Sequence, residues 1–117
     1  MAHAPMQVDH PELPHAIRER IVTHHRGFDI AGHLRALGAE YPGLLDAVVR
    51  TIDMLESYPG VESTSIDYDE DDVLFPVTLW ARTEYSGEER FRHILALEHE
   101  AEELLRRYPE LVLVSIL

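Results

Sequence analysis

The C-terminal run Leu111–Leu117 constrains the fold more than any other part of the sequence. It is apolar at every position except Ser115, and it follows Pro109, which ends a stretch of helical periodicity. The run is far too short to span a bilayer as a helix. It therefore predicts a β-strand that is apolar on both faces. Such a strand is central in its sheet or covered by a partner.

A long helix is predicted directly before this strand. Ser86 and Glu89 have the spacing of a capping box. Apolar residues then recur at intervals of three and four up to about Arg107, which is the spacing of a helix face. The predicted core-facing residues are Ile94, Leu97, Ala101, Leu104 and Tyr108. Because a helix connects them, the strands on either side of it should run parallel.

Turn signals divide the upstream sequence into the remaining elements. Pro59-Gly60 ends one helical pattern, and a polar acidic segment interrupts the β-pattern that follows. Pro76 cannot donate to a sheet ladder, so its strand should lie at an edge or carry a bulge. The predicted elements are helices over about 14–24, 29–41 and 44–57 and strands over 61–68 and 73–83.

This order predicts an α+β fold, with two N-terminal helices followed by α-β-β-α-β. Packing the helices on one face of a small three-stranded sheet buries the apolar stripes most simply. If the first strand lies between the other two, every neighbouring pair is antiparallel, as in a ferredoxin-like sheet. Residues 1–13 lack periodicity and are predicted to be a flexible arm, and residues 14–117 a single domain.

Composition excludes several classes of function. Asp and Glu number 22 against 10 Lys and Arg, giving a formal charge of −12. That charge argues against direct binding to nucleic acid or to an anionic membrane. The chain has no Cys and no Lys, which excludes thiolate metal sites, Cys nucleophiles and Schiff-base lysines. No serine elbow, P-loop or signal peptide is present, so we expect a soluble cytoplasmic protein.

Histidines form the first candidate site. His24 and His25 end the first predicted helix, and His33 lies one turn into the second. A short turn between these helices could bring the imidazoles together on a divalent metal. The alternative is that histidines at a helix end bond its free carbonyls. His24 also continues an apolar stripe, as a half-buried core residue would.

Asp67, Asp69 and Asp71 form a second candidate metal site. Oxygen-rich loops bind Ca²⁺ or Mg²⁺, and this spacing begins like an EF-hand loop. However, Asp72 stands where that loop needs Gly, and Thr78 stands where it needs Glu. The alternative is a solvated hairpin tip whose charges discourage aggregation through the sheet edge.

Glu98 is the third candidate. At 100° per residue it falls between Leu105 and Phe91, inside the apolar arc of the last predicted helix. A carboxylate buried there must be paired, protonated or functional. Arg90 or Arg82 could pair with it. As a functional group, Glu98 would be a general base.

Three short motifs occur in the α-β-β-α-β order: Pro59-Gly60-Val61, His93 and Arg106–Pro109. In these motifs, residues 44–117 resemble the cytoplasmic domain of cation-diffusion-facilitator metal transporters. The resemblance implies a homodimeric, ferredoxin-like domain that senses metal, with His93 at one of the family's metal-ligand positions. The histidine-bearing strand positions of the family hold other residues here, such as Leu79, Ser115 and Ile116.

These features predict a small, non-enzymatic, homo-oligomeric domain with a regulatory or ligand-binding role, dimeric through Leu111–Leu117. A divalent metal is the favoured ligand. The alternative is an acidic interaction module, such as an antitoxin, an immunity protein or a nucleic-acid mimic. Its support is the charge of −12, which suits a basic protein partner. A third class is an enzyme that uses Glu98.

Overall fold

The computed structural model describes residues 12–22 and 29–117. They form four helices and a three-stranded mixed sheet, so the predicted α+β class is confirmed. Within these ranges no helix has the length and apolar character needed to cross a membrane. The elements are α1 (His15–Arg18), α2 (Ile30–Glu40), α3 (Leu44–Ser57), β1 (Val61–Tyr68), β2 (Val77–Thr83), α4 (Gly87–Leu104) and β3 (Val112–Ile116).

Helix α3 has the bounds that the sequence predicts, because its pattern is unambiguous. Its apolar residues recur on one face, and that face is buried. On the opposite face, Arg50 and Asp46 form an i,i+4 ion pair at 2.7 Å. The helix begins after Gly43, whose φ of +90° favours glycine. The buried residues at this helical spacing include Leu45, Val48, Ile52 and Leu55.

Helix α1 is shorter than predicted. It ends at Arg18, and the next residues run along the outer edge of β1. The Ile66 N–H donates to the Arg20 carbonyl at 2.7 Å, and the Val22 N–H donates to the Ile66 carbonyl at 3.0 Å. The sheet edge supplies these backbone groups with partners that a longer helix would otherwise have provided.

Leu13, the last residue of the predicted arm, packs against the domain. It is only 2% exposed and belongs to the core. Residues 1–11 of the arm lie outside the described residues.

The strand order is β1-β2-β3, with β1 and β2 antiparallel and β2 and β3 parallel. The parallel pairing across the last helix is confirmed. The first strand is not central, so the ferredoxin-like arrangement expected for that order is not confirmed. Pro76 neither lies at an edge nor forms a bulge, because β2 begins one residue after it. The central strand therefore keeps all its N–H donors.

The two faces of the sheet differ sharply. One face packs with α2, α3 and α4 into a single apolar core. The opposite face, called the outer face here, carries the alternate residues of each strand, as the two-residue period of a strand requires. On β2 the core face holds Val77, Leu79 and Ala81, and the outer face holds Thr78, Trp80 and Arg82.

Helix α4 presents only a narrow stripe to the core. Ser86 occupies the predicted N-cap position, but its side chain makes no capping hydrogen bond. Leu97 and Ala101 are buried, whereas Phe91 is 68% and Leu95 is 51% exposed. The side of α4 that bears these two apolar residues is therefore open to solvent.

Candidate functional site

Strand β3 lies at an edge of the sheet, not at its centre. Its ladder to β2 is seen at Leu117, whose N–H donates to the Ala81 carbonyl at 2.8 Å and whose carbonyl accepts from the Thr83 N–H at 3.0 Å. A parallel ladder uses every second residue of a strand. Its other residues therefore direct their N–H and C=O groups away from the sheet. These outward residues are Val112, Val114 and Ile116.

This free edge is the open end of the sheet. Residues 20–22 pair with the edge of β1 at Ile66, whereas within the described ranges no segment pairs with the far side of β3. Unpaired strand edges are templates for pairing with another chain. The sequence predicted that this strand is central or covered by a partner. In the structure it lies at the edge, and no described segment pairs with its free side.

A groove of about 530 Å³ runs between α4 and the free edge. Its apolar lining includes Ala101, Leu105 and Val112, and Glu98 and Glu102 lie along its α4 side. Phe91, Leu95, Glu98 and Glu102 follow one another at helical spacing, so they share one face of α4. The groove therefore combines an apolar floor, an acidic rim and an exposed apolar extension.

Glu98 is exposed, so the prediction that it is a buried acid is wrong. The helical wheel treated Phe91 and Leu105 as core residues. Leu105 is buried, although it follows the last helical residue, but Phe91 is 68% exposed. The true core stripe is centred on Leu97 and Ala101, which turns Glu98 toward the rim of the groove. Within the described residues, Glu98 forms no ion pair with Arg90 or Arg82.

The predicted histidine cluster is only partly described. His24 and His25 lie outside the described residues. His33 stacks on Tyr68 with ring centroids 5.0 Å apart, and its Nε2 lies 3.7 Å from Glu70 Oε2. Over residues 12–22 and 29–117, no three His, Asp or Glu side chains converge as metal ligands would.

The acidic loop supports its own backbone. Asp69 Oδ1 accepts the Asp71 N–H at 3.0 Å, and Asp67 Oδ1 accepts the Tyr68 N–H at 2.8 Å. The Asp69–Asp71 bond reaches the backbone two residues on, which is typical of an Asx turn. Asp67, Asp69 and Asp71 do not assemble with other described side chains into a metal-binding group. Their geometry favours the hairpin-tip interpretation.

His93 belongs to an aromatic cluster that the sequence did not reveal. Its Nδ1 lies 3.1 Å from the Tyr58 hydroxyl, and its ring stacks on Tyr85 at 4.0 Å. Burial raises the pKa of Tyr85. Gly60 lies directly against the Tyr85 ring, leaving no space for a Cβ. These contacts join the end of α3 to the start of α4, and no sequence spacing predicts them.

A second unforeseen cluster joins Arg20 to Glu56 on α3 and Thr64 on β1. Arg20 Nε and Nη2 donate to the two Glu56 oxygens at 2.6 and 2.7 Å. Arg20 Nε also lies 3.0 Å from the Thr64 hydroxyl. The hydrogen bond from Arg20 lowers the pKa of Glu56 despite partial burial. Every polar group here has a partner, so this cluster is structural.

No protein-family model and no curated protein matches this chain. The likeness of residues 44–117 to the transporter domain therefore gains no support from known proteins.

Proposed function

We propose that the chain is a non-enzymatic, homo-oligomeric domain with a regulatory or ligand-binding role, dimeric through the free edge of β3. The observation that carries the proposal is the row of outward backbone groups on Val112, Val114 and Ile116, beside an apolar groove. Pairing with a second strand stabilises an edge of this kind, because it satisfies the outward N–H and C=O groups of the backbone.

Two-fold symmetry requires the two copies of β3 to pair antiparallel. Outward residues must then face outward residues. Centring the axis on Val114 pairs it with Val114 of the second copy and pairs Val112 with the second Ile116. Each such pair exchanges two hydrogen bonds, so this register forms about six, the most that the strand allows. The result is a continuous sheet with β3 at its centre.

Exposed apolar side chains flank this contact on both faces of the sheet. Leu113 is 45% and Leu117 is 48% exposed on the outer face. Phe91 and Leu95 lie on the side of α4 that borders the groove. A second copy at the edge would cover both groups of side chains. Each Å² of apolar surface removed from water stabilises the dimer by about 25 cal/mol.

Light scattering over a range of concentrations tests the dimer. Val114→Pro removes one outward N–H without removing a bond to β2. We expect twice the chain mass for the wild type and the monomer mass for the variant. Val73→Pro is the matched control, because Val73 is 92% exposed in the loop before β2. A monomeric wild type, or an unchanged mass for a folded Val114→Pro, contradicts the proposal.

Cross-linking tests the register independently of any proline effect on folding. The chain contains no Cys. In the proposed register, Leu113 faces Ser115 of the second copy as a non-hydrogen-bonded pair with Cα atoms about 4.5 Å apart, which suits a disulfide. The double variant Leu113→Cys, Ser115→Cys should form a covalent dimer on oxidation. Leu113→Cys alone should not, because its own copies lie about 7–8 Å apart on the diagonal.

In the ligand-binding role, the divalent-metal hypothesis is supported by the His33–Glu70 pair. Two side chains do not complete a site, so the proposal requires His24 or His25 as further ligands. Zinc titration followed by calorimetry should give a stoichiometric binding heat that His33→Ala removes. Absence of such a heat in the wild type contradicts metal binding.

The acidic rim of the groove favours a second candidate, an interaction module for a basic protein. Glu98, Glu102 and Glu110 border its apolar floor. Salt separates the two candidates. Screening should strengthen a dimer of two chains that each carry −12, whereas it should weaken a complex with a basic partner.

A further inference from the structure

The outer face of the sheet holds a shallow cavity of about 410 Å³, on the opposite side from the helices. Trp80 and Arg82 line it from the central strand, together with Ser63 and Ser65 of β1 and with Leu117. None of these residues forms part of the core or of the groove beside α4. The cavity brings together an aromatic ring, a cation and two hydroxyl groups.

Trp80 offers a stacking surface at the centre of this face. Its neighbours across the two ladders are Ser65 on β1 and Ser115 on β3. Both are small, so they leave space beside the indole, which is partly exposed. Aromatic rings pack well on such a surface in offset or edge-on geometry.

Arg82 occupies the next outer-face position along β2, opposite Ser63. Its side chain is exposed, and among the described residues it has no hydrogen bond or ion pair. Arg20 and Arg50, in contrast, each bind a carboxylate of the chain. The guanidinium of Arg82 thus presents its N–H groups to a ligand, and its planar fork matches a carboxylate.

We propose that this face binds a small aromatic monocarboxylate. The ring lies against Trp80, the carboxylate binds Arg82, and the Ser63 hydroxyl lies at the carboxylate end. A single negative charge suits the site, because one Arg must hold the anion against a chain charge of −12. Asp67 lies at the other end of the cavity, about 13 Å along β1 from Ser63, so it is remote from the carboxylate end.

This inference rests on the ligand-binding role proposed above and gives it a ligand class, but it does not depend on the dimer. Trp80 is the only Trp in the chain, so its fluorescence reports on the site directly. Benzoate is the probe, and benzamide is the uncharged control of the same shape. Broadening of the benzoate proton signals in NMR spectra provides a second readout.

We expect benzoate to change Trp80 fluorescence saturably and to bind at least about tenfold more tightly than benzamide. Arg82→Gln should weaken benzoate binding about tenfold and leave benzamide unaffected, and Arg82→Lys should restore part of the loss. Arg92→Gln is the matched control, because it removes an exposed Arg from α4.

Equal affinity for benzoate and benzamide overturns the proposal, as does unchanged benzoate affinity in Arg82→Gln or no signal in either readout. Inorganic phosphate that binds as tightly as benzoate also overturns it, because the ring would then contribute nothing. Chain mass measured on the same samples separates the two proposals. Arg82→Gln should leave the mass unchanged, because Arg82 lies on the central strand and not at the free edge.

Discussion

The ion pair of Arg20 and Glu56 should contribute more to stability than an ordinary surface pair. Two parallel hydrogen bonds of 2.6 and 2.7 Å join the guanidinium to the carboxylate. The side chains are 21% and 35% exposed, respectively. Arg20 Nη1 also donates to the Ala16 carbonyl at 2.6 Å. The pair therefore ties residues 20–22, which pair with Ile66 of β1, to helix α3.

The expected magnitude lies between two limits. Exposed ion pairs contribute about 0.2–1 kcal/mol, and hydrogen bonds to charged groups about 1.5–3 kcal/mol. Glu56 is about one-third exposed, so solvent screening reduces the upper figure. We expect Glu56→Gln to lower the free energy of unfolding by about 1–2 kcal/mol at neutral pH.

The same contact makes the effect depend on pH. The hydrogen bond from Arg20 lowers the pKa of Glu56 in the folded state. The unfolded pKa is about 4.3. A lowered folded pKa contributes stability that is present above the unfolded value and is lost as pH falls through the folded one. The difference between wild type and Glu56→Gln should therefore be constant above about pH 6 and shrink toward pH 3.

Urea denaturation at about pH 7 and about pH 3.5 measures both quantities. Glu100→Gln, at an exposed position on α4, is the control and should change stability little at either pH. A loss below about 0.5 kcal/mol for Glu56→Gln at neutral pH would refute the assigned strength. A loss of equal size at both pH values would show that the carboxylate charge is not its source.

Three further substitutions test the packing. Glu98→Gln should change stability by less than about 0.5 kcal/mol in urea denaturation, because the side chain is exposed; a loss above about 1 kcal/mol would mean that it makes a buried contact. Gly60→Ala should lower the free energy of unfolding by about 1–3 kcal/mol, because the φ of Gly60 is +95° and the Tyr85 ring occupies the space of a Cβ. In thermal melts, an unchanged melting temperature would show that the turn adapts. Tyr58→Phe should lower the free energy of unfolding, measured in the same melts, by about 0.5–1.5 kcal/mol, because it removes the hydrogen bond to His93. A variant as stable as the wild type would show that water replaces this bond.

Sequence periodicity predicted elements well where burial alone decides the conformation. Helix α3 carries an unbroken apolar stripe and has the predicted bounds. Periodicity failed to predict where helix α1 ends. Ile17 and Ile21 have helical spacing, yet the helix ends before Ile21, which pairs with β1 instead. Spacing within a segment cannot reveal that a distant strand offers its backbone a partner.

The candidate site was harder to predict than the fold because it depends on strand order. The sequence identified β3 as apolar on both faces but could not place it in the sheet. It also placed Glu98 in the core, because Phe91 was assigned to the buried arc on hydrophobicity alone. Large apolar residues are often exposed where they face a partner, and Phe91 lies on the same face of α4 as Glu98 and Glu102, which line the groove.

The exposed position of β3 is the strongest physical reason to expect a second copy there. Proteins usually protect an edge strand with Lys, Pro, a bulge or an inward-pointing charge. The chain has no Lys, and the residues from Val112 to Ile116 include no Pro and no charge. Their pairing with β2 is regular, without a bulge. At the other edge of the sheet, residues 20–22 pair with β1 at Ile66. A monomer would thus leave the apolar edge of β3 unpaired within the described residues, and pairing with another β3 would satisfy its outward backbone groups with complementary hydrogen bonds.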